Sequence, residues 1–342
     1  MIDTWLTKTF KIKYPIIMAP MFLVSNKEML LEAAKAGIMG CVPALNWRTA
    51  EEFHEAMIDL KKNITGPFGV NLIVNKSNIK LKKQLEVCEK IEPDFIITSL
   101  GSPEETIQRF KNKKTKILCD VVDLEYAKKV EQLGADAIVA VNSGAGGHAG
   151  PVPASVLIPK LVKNCDLPII SAGGVGTGDG LLSILAMGSA GASIGSPFIA
   201  AKESPVSTKY KKACVTYGAE DIVLSTKISG SPCTVINTPY VKKIGTKQNI
   251  VESMLTKNQK IKKYIKMLTW YLGTKAIEKA AFSATYKTVW CAGPSIEFTH
   301  GVEPVAKIVE RIIDEYVRAF KNLKALDISS AEADHPASKE HV

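Results

Sequence analysis

The sequence predicts an α/β protein, a (β/α)8 barrel of the TIM-barrel class with a helical lid inserted before its last helix. Three observations predict it. Eight short apolar runs rich in β-branched residues alternate with amphipathic stretches, the rhythm of parallel strands joined by crossover helices. No Gly-x-Gly-x-x-Gly fingerprint follows the first run, which favours a closed barrel over the open doubly wound sheet that fits the same alternation. After the eighth run the alternation breaks, at the point where an eighth helix is due.

The expected strands are 14–20, 38–44, 68–74, 94–98, 116–122, 136–141, 167–172 and 190–195, with helices near 26–36, 49–62, 77–91, 103–113, 123–133, 154–164 and 177–187. Ser25 precedes the first of these helices as a cap, Thr49 with Glu52 forms a capping box for the second, and Ser102-Pro103 opens the fourth. Gly37 and Gly134 read as C-terminal stops. From about 202 to 300 come irregular segments and then a helical stretch, "NIVESMLTKNQKIKKYIKMLTWYLG", before the closing helix at 303–323. The barrel is therefore assigned to 1–224 with 301–324, a lid on the substrate side to 225–300, and a flexible tail to 325–342, whose residues are small and polar.

A chain of 342 residues, 46% apolar and 23% charged, has ample material for one large core. Its formal net charge of +10 comes mostly from lysines spread over helix faces, such as Lys61, Lys62, Lys128 and Lys129, without interleaved aromatics. A solvated surface explains that pattern, and nucleic acid is not expected as a partner. The densest basic region, 242–266, would suit an acidic carrier or an anionic ligand. Seven widely spaced cysteines without a Cys-x-x-Cys pair read as reduced core residues in a cytoplasm. No eighteen-residue apolar run and no basic-then-apolar start are present, so neither membrane insertion nor export is expected.

In such a barrel the working face lies where strands end. Ala19-Pro20-Met21 ends the first strand, where a proline would leave backbone groups free for a planar ligand edge, although an ordinary turn looks the same. Asn71 is polar within "FGVNLIV", and a buried amide needs partners from backbone or from a ring bearing donors and acceptors. "SAGGVGTGDG" (171–180) and "IGSPF" (194–198) are glycine-rich turns after the seventh and eighth strands, the usual place for a phosphate in this architecture. Of five histidines, His335 and His341 lie in the tail and His54 in an acidic helix turn, which leaves His148 and His300. His148 sits in "VNSGAGGHAGPVP" after the sixth strand, among glycines that would admit substrate to an imidazole able to take a proton from a carbon acid. Tyr240, Trp270 and Trp290 are candidates for pocket walls, though aromatics on helices more often simply pack.

The order and spacing of "YPIIMAPM", "FGVNLIV", "AGGHAGP", "LPIISAGGVGTGDGLLSILAMGSAGASIGSPFIAAKES" and "WCAGPSIEFTHGVEPVAKIVERII" resemble the flavin-dependent nitronate monooxygenases, formerly 2-nitropropane dioxygenases, and the related flavin-containing enoyl-acyl-carrier-protein reductases. The resemblance implies FMN, with its ring near Ala19, Pro20, Met21 and Asn71 and its phosphate on Gly173, Gly174, Gly195 and Ser196. Gly146, Gly147 and Ala172 complete the implied cofactor set, His148 matches the family's catalytic histidine, Ser295 falls on the substrate side, and no metal is implied. The implied activity is oxidation of alkyl nitronates by oxygen. Its alternatives are an NAD(P)H-dependent enoyl-thioester reductase that receives an acyl carrier protein, a flavin-binding subunit without turnover of its own, and a non-redox phosphate-binding barrel. Two positions depart from the family's pattern: Gly144 stands where a glutamate is common, and Pro294 where a glutamine is.

Overall fold

The computed structural model describes residues 2–226, 232–247 and 289–326. Eight parallel strands, β1 (Ile16–Met18), β2 (Met39–Pro43), β3 (Phe68–Ile73), β4 (Phe95–Ser99), β5 (Lys116–Val121), β6 (Ala137–Val141), β7 (Ile169–Ala172) and β8 (Gly191–Ile194), pair in chain order. β8 returns to β1 with Ile16 opposite Ala192. That closure excludes the doubly wound sheet that the alternation alone allowed.

A short helix, α1 (Trp5–Phe10), precedes the barrel and was not legible as one in "MIDTWLTKTF". Thr4 and Thr7 cap it reciprocally, and it carries Leu6 and Phe10 into a cluster with Ile17, Met39, Phe95, Leu118 and Ile170. α1 thus plugs the end of the barrel where the strands begin. Gly69 makes room for the plug, since a Cβ there would stand 2.2 Å from the Phe95 ring, which packs edge-on against Phe10 at 5.4 Å.

The crossover helices are α2 (Lys27–Lys35), α3 (Ala50–Asn63), α4 (Leu81–Ile91), α5 (Glu104–Phe110), α6 (Leu124–Leu133), α7 (Ala154–Asn164) and α8 (Gly178–Ala186). The Thr49–Glu52 capping box forms, and Gly134 ends α6 in the left-handed region at φ 92°. Two start signals resolve differently. Asn26, not Ser25, caps α2, because Ser25 is buried and bonded to the loop after β1; Pro103 precedes α5 with no side-chain cap.

Beyond β8 lie α9 (Ser196–Ile199), α10 (Thr208–Thr216), and an antiparallel hairpin of β9 (Ile222–Ser225) and β10 (Cys233–Ile236). Then come α11 (Pro239–Ile244), a 3-10 turn (Pro294–Phe298) and α12 (Val305–Lys324), which packs on α8 and α2 and completes the outer ring. The hairpin was read from sequence only as irregular chain. Residues 249–273, expected from the sequence to be helical, Trp270 and residues 327–342 of the expected tail lie outside the described residues. No helix among the described residues is long and apolar enough to cross a membrane.

Candidate active site

The strand C-termini, the β10 segment and the turn at 292–295 enclose one cavity of about 570 Å³, within the range of small-molecule and cofactor sites. The residues expected to bind cofactor, to act as the base or to face substrate line it: Ala19, Pro20, Met21, Asn71, Gly146, Gly147, His148, Ala172, Gly173, Gly174, Gly195, Ser196 and Ser295. The structure also separates the two candidate histidines. His300 is exposed beyond the 3-10 turn and does not reach the cavity.

His148 follows Gly147, whose φ of 72° turns the loop sharply, and the loop is tied to β10 rather than left free. Thr234 N–H donates to the Gly147 carbonyl at 2.7 Å, Gly147 N–H returns a bond of 3.3 Å, and Thr234 Oγ1 donates to the Ala145 carbonyl at 2.7 Å. Burial pushes the imidazole below its ordinary value of 6.5, so that at neutral pH it is uncharged and able to accept a proton.

The glycines of this wall are required for different reasons. The Gly144 carbonyl accepts from Gly174 N–H at 2.9 Å, and a Cβ on Gly144 would stand 2.7 Å from the Gly174 backbone. A Cβ on Gly173 would lie 2.4 Å from Ala145 N. The loops after β6 and β7 therefore stack backbone on backbone, which accounts for Gly144: the family's glutamate would not fit here unless the β7 loop moved. Asn142, buried beneath, bonds Gly144 N–H at 2.8 Å and the Gly173 carbonyl at 3.0 Å. Gly174 cannot offer its N–H to a ligand, since Gly144 holds it. Among the described residues, the N–H groups of Gly173, Gly195 and Ser196 meet no protein acceptor. A Cβ at Gly195 would make only ordinary contacts, 3.5 Å to Met21 and 3.6 Å to Ala19, so protein packing alone does not require glycine there. Open amides beside a glycine that the fold does not need fit a phosphate or similar anion.

At the opposite rim, Asn71 donates both amide hydrogens, to the Ile97 carbonyl at 3.1 Å and to Ser99 Oγ at 2.7 Å. Its carbonyl oxygen is what remains for a ligand. Ser99 in turn donates to Asp120 Oδ2 at 2.5 Å. Burial drives the Asp120 carboxyl up to about 7, partly offset by the Ser99 bond. Asp120, Ser99 and Asn142 were all overlooked in the sequence. The rule that picked out Asn71, a polar residue in an apolar run at a strand's end, applies equally to the aspartate of "KILCDVV".

Two expectations need correction. The loop after β1 does not leave its backbone free: Ala19 N–H donates to Ile194, the Ala19 carbonyl accepts from Ser25 and Met21 N–H donates to Ser25. Neither Tyr240 nor Trp290 lines the cavity. Trp290 is buried, stacked at 5.4 Å on Tyr210, and it is Tyr210 that reaches the cavity, its hydroxyl bonded to the Cys291 carbonyl at 2.6 Å. All seven cysteines are free thiols, and no cluster of ligating side chains among the described residues would hold a metal.

With this geometry in hand, residues 3–315 match the family described as nitronate monooxygenase. A relative of Rhodococcus jostii (strain RHA1), a (3aS,4S,5R,7aS)-5-hydroxy-7a-methyl-1-oxo-octahydro-1H-indene-4-carboxyl-CoA dehydrogenase, is 30% identical over 70% of this chain and 67% of its own. A probable nitronate monooxygenase of Staphylococcus aureus (strain MSSA476) is 25% identical over 91% of this chain and 96% of its own. Among solved structures, FabK from Thermotoga maritima superposes with a TM-score of 0.82 at 25% identity, covering 95% of this chain and 99% of that one.

Proposed function

The chain belongs to the nitronate monooxygenase family and is an oxidoreductase of that flavin-using type, and we propose from this that it binds FMN and oxidises alkyl nitronates with oxygen. The observation that carries the reading is the convergence on one cavity of an uncharged imidazole, His148, with open amides on one rim and the Asn71 carbonyl on the other. Bound flavin would supply the electron-accepting chemistry, with oxygen as the final acceptor.

The chain's own residues hold and deprotonate. Gly173, Gly195 and Ser196 would hold the phosphate, and the Asn71 carbonyl would accept from a ring N–H. His148 takes the proton from the carbon beside a nitro group, and the imidazolium so formed faces the nitronate anion. The apolar wall of Pro20, Val24, Ile73 and Val141 keeps water from that carbon. Residues 225–300 are proposed as the lid that bounds the site on the substrate side, with residues 1–224 and 301–324 as the FMN-binding barrel and 325–342 as a tail.

A second reading is favoured by the Rhodococcus relative, whose name specifies a CoA thioester. On that reading the cavity takes an acyl thioester, NAD(P)H reduces an enoyl group, and the basic segment that begins at Lys242 and Lys243 receives an acidic carrier. One panel separates the two. The purified protein is expected to release FMN on denaturation and to consume oxygen with propyl nitronate; NAD(P)H oxidation dependent on an enoyl thioester decides for the reductase. Protein that binds FMN but turns over neither substrate points to a flavin-presenting subunit, and protein that binds no flavin refutes all three.

A further inference from the structure

Asp120 is the only acidic side chain among the described residues that lines the cavity, and the mechanism above makes no use of it. Its orientation follows from a chain of hydrogen bonds whose direction is set at the Ile97 carbonyl. The Ile97 carbonyl can only accept, so the amide nitrogen of Asn71 must face it, and the second amide hydrogen then goes to Ser99. Ser99 Oγ, having accepted from Asn71, has its own proton for Asp120 Oδ2. This leaves two atoms for a ligand: the Asn71 carbonyl oxygen, which can only accept, and Asp120 Oδ1, which accepts when ionised and donates when protonated. Both stand at the C-terminal rim, on β3 and β5, separated by the single strand β4.

The polar edge of a flavin ring presents one N–H between two carbonyls, with an acceptor nitrogen beyond. If Asn71 takes the N–H, the next position along the rim meets an acceptor, and only a protonated carboxyl satisfies it. We propose that Asp120 meets the polar edge of the flavin ring through Oδ1 as a protonated acid, so that flavin binding is coupled to the uptake of one proton. This rests on the flavin reading above and adds to it a residue and a pH dependence.

The surroundings support the assignment. The titratable groups that act on Asp120 or feel its charge are the thiols of Cys41 and Cys119 and the hydroxyl of Tyr126, and burial pushes all three up, so that none carries charge near neutrality. Among the described residues no cation acts on the carboxyl, and burial raises it to about 7. His148, which lines the same cavity, is pushed by burial below 6.5 and leaves the range above pH 7 to Asp120. Binding that requires the protonated acid is strong below pH 7 and weakens above it, approaching tenfold per pH unit.

The test titrates the full-length protein with riboflavin and with FMN between about pH 5.5 and 8.5, read by flavin fluorescence and absorbance. Riboflavin has no phosphate, so ionisation of that group cannot imitate the effect. For the wild type, the riboflavin Kd is expected to stay nearly level below pH 7 and to rise about thirtyfold above its low-pH value by pH 8.5. Asp120→Asn, whose amide donates at every pH, should give a level profile. Ser99→Ala removes the bond that favours the ionised form, so its rise should begin at higher pH. A level wild-type profile, or an Asp120→Asn profile with the wild-type slope, overturns the proposal even if flavin binds well. Failure of the wild type to bind either flavin at any pH is a different result: it refutes the flavin reading and takes this proposal with it.

Discussion

His148 and Asp120 stand in the same cavity, and burial moves them in opposite directions, the base downward and the acid upward. At neutral pH the imidazole is therefore uncharged and ready to accept a proton, while the carboxyl, near its midpoint, holds its proton in about half of the molecules. His148→Ala is expected to keep its flavin and to lose about 10²–10⁴-fold in turnover with neutral nitroalkane, and much less with preformed nitronate, which needs no deprotonation. Equal losses on the two substrates would assign His148 to anion binding instead. Glycine substitutions should separate by mechanism. At Gly174 the space is open, with the nearest atom 3.9 Å from a built Cβ, but φ is 78°, so valine there costs about 1–3 kcal/mol through backbone strain. At Gly173 strain and collision combine, so Gly173→Ala should lower both stability and flavin occupancy by more, as measured by denaturant unfolding and bound flavin. His148 was legible because a histidine among glycines has no apolar face to pack on. Asp120 satisfies the rule that picked out Asn71, but its link to Asn71 through Ser99 joins three strands and is not written in any one of them.

At the scale of elements, α1 and β10 do work that their local sequences do not announce. Leu6 is fully buried in the barrel plug, and Leu6→Ala should destabilise the protein by about 2–5 kcal/mol without changing the flavin spectrum of the folded fraction. Unfolding by denaturant, followed by flavin absorbance and circular dichroism, checks both statements. β10 holds the histidine loop through Thr234. Thr234→Val keeps the strand's backbone bonds but removes Oγ1 from the Ala145 carbonyl, so it should lower kcat more than it lowers flavin affinity. The β9–β10 hairpin escaped the sequence reading because "IVLS" and "CTVI" are too short to show a period. Their pairing is fixed by each other across an intervening stretch, not by local preference.

For the molecule as a whole, the site makes stability depend on pH. The folded pKa of Asp120 is raised above its unfolded value, so its contribution is fully present below about pH 4 and is lost as pH rises through 7. His148 has the opposite sign, its folded value being depressed: its contribution is present above 6.5 and is lost as pH falls. The flavin-free protein is therefore expected to gain stability at pH 8 on Asp120→Asn, on the order of a few kcal/mol, and to gain little at pH 4. Denaturant unfolding at both pH values tests this, and equal gains at the two would show that the carboxyl is not buried as described.

The order of strands, their parallel sense and the glycines that line the cavity after β6, β7 and β8 were legible in the sequence, because each depends on local periodicity and on residues a few positions apart. Closure of β8 onto β1, the plug formed by α1, the Asn71–Ser99–Asp120 chain and the lock between Gly147 and Thr234 were decided only by tertiary structure. Each joins residues from separate elements, and their bonds exist only once the strands have taken their register. The same holds for the charge state of the site: the sequence supplies an imidazole and a carboxyl, but the burial that shifts both toward their neutral forms belongs to the folded cavity.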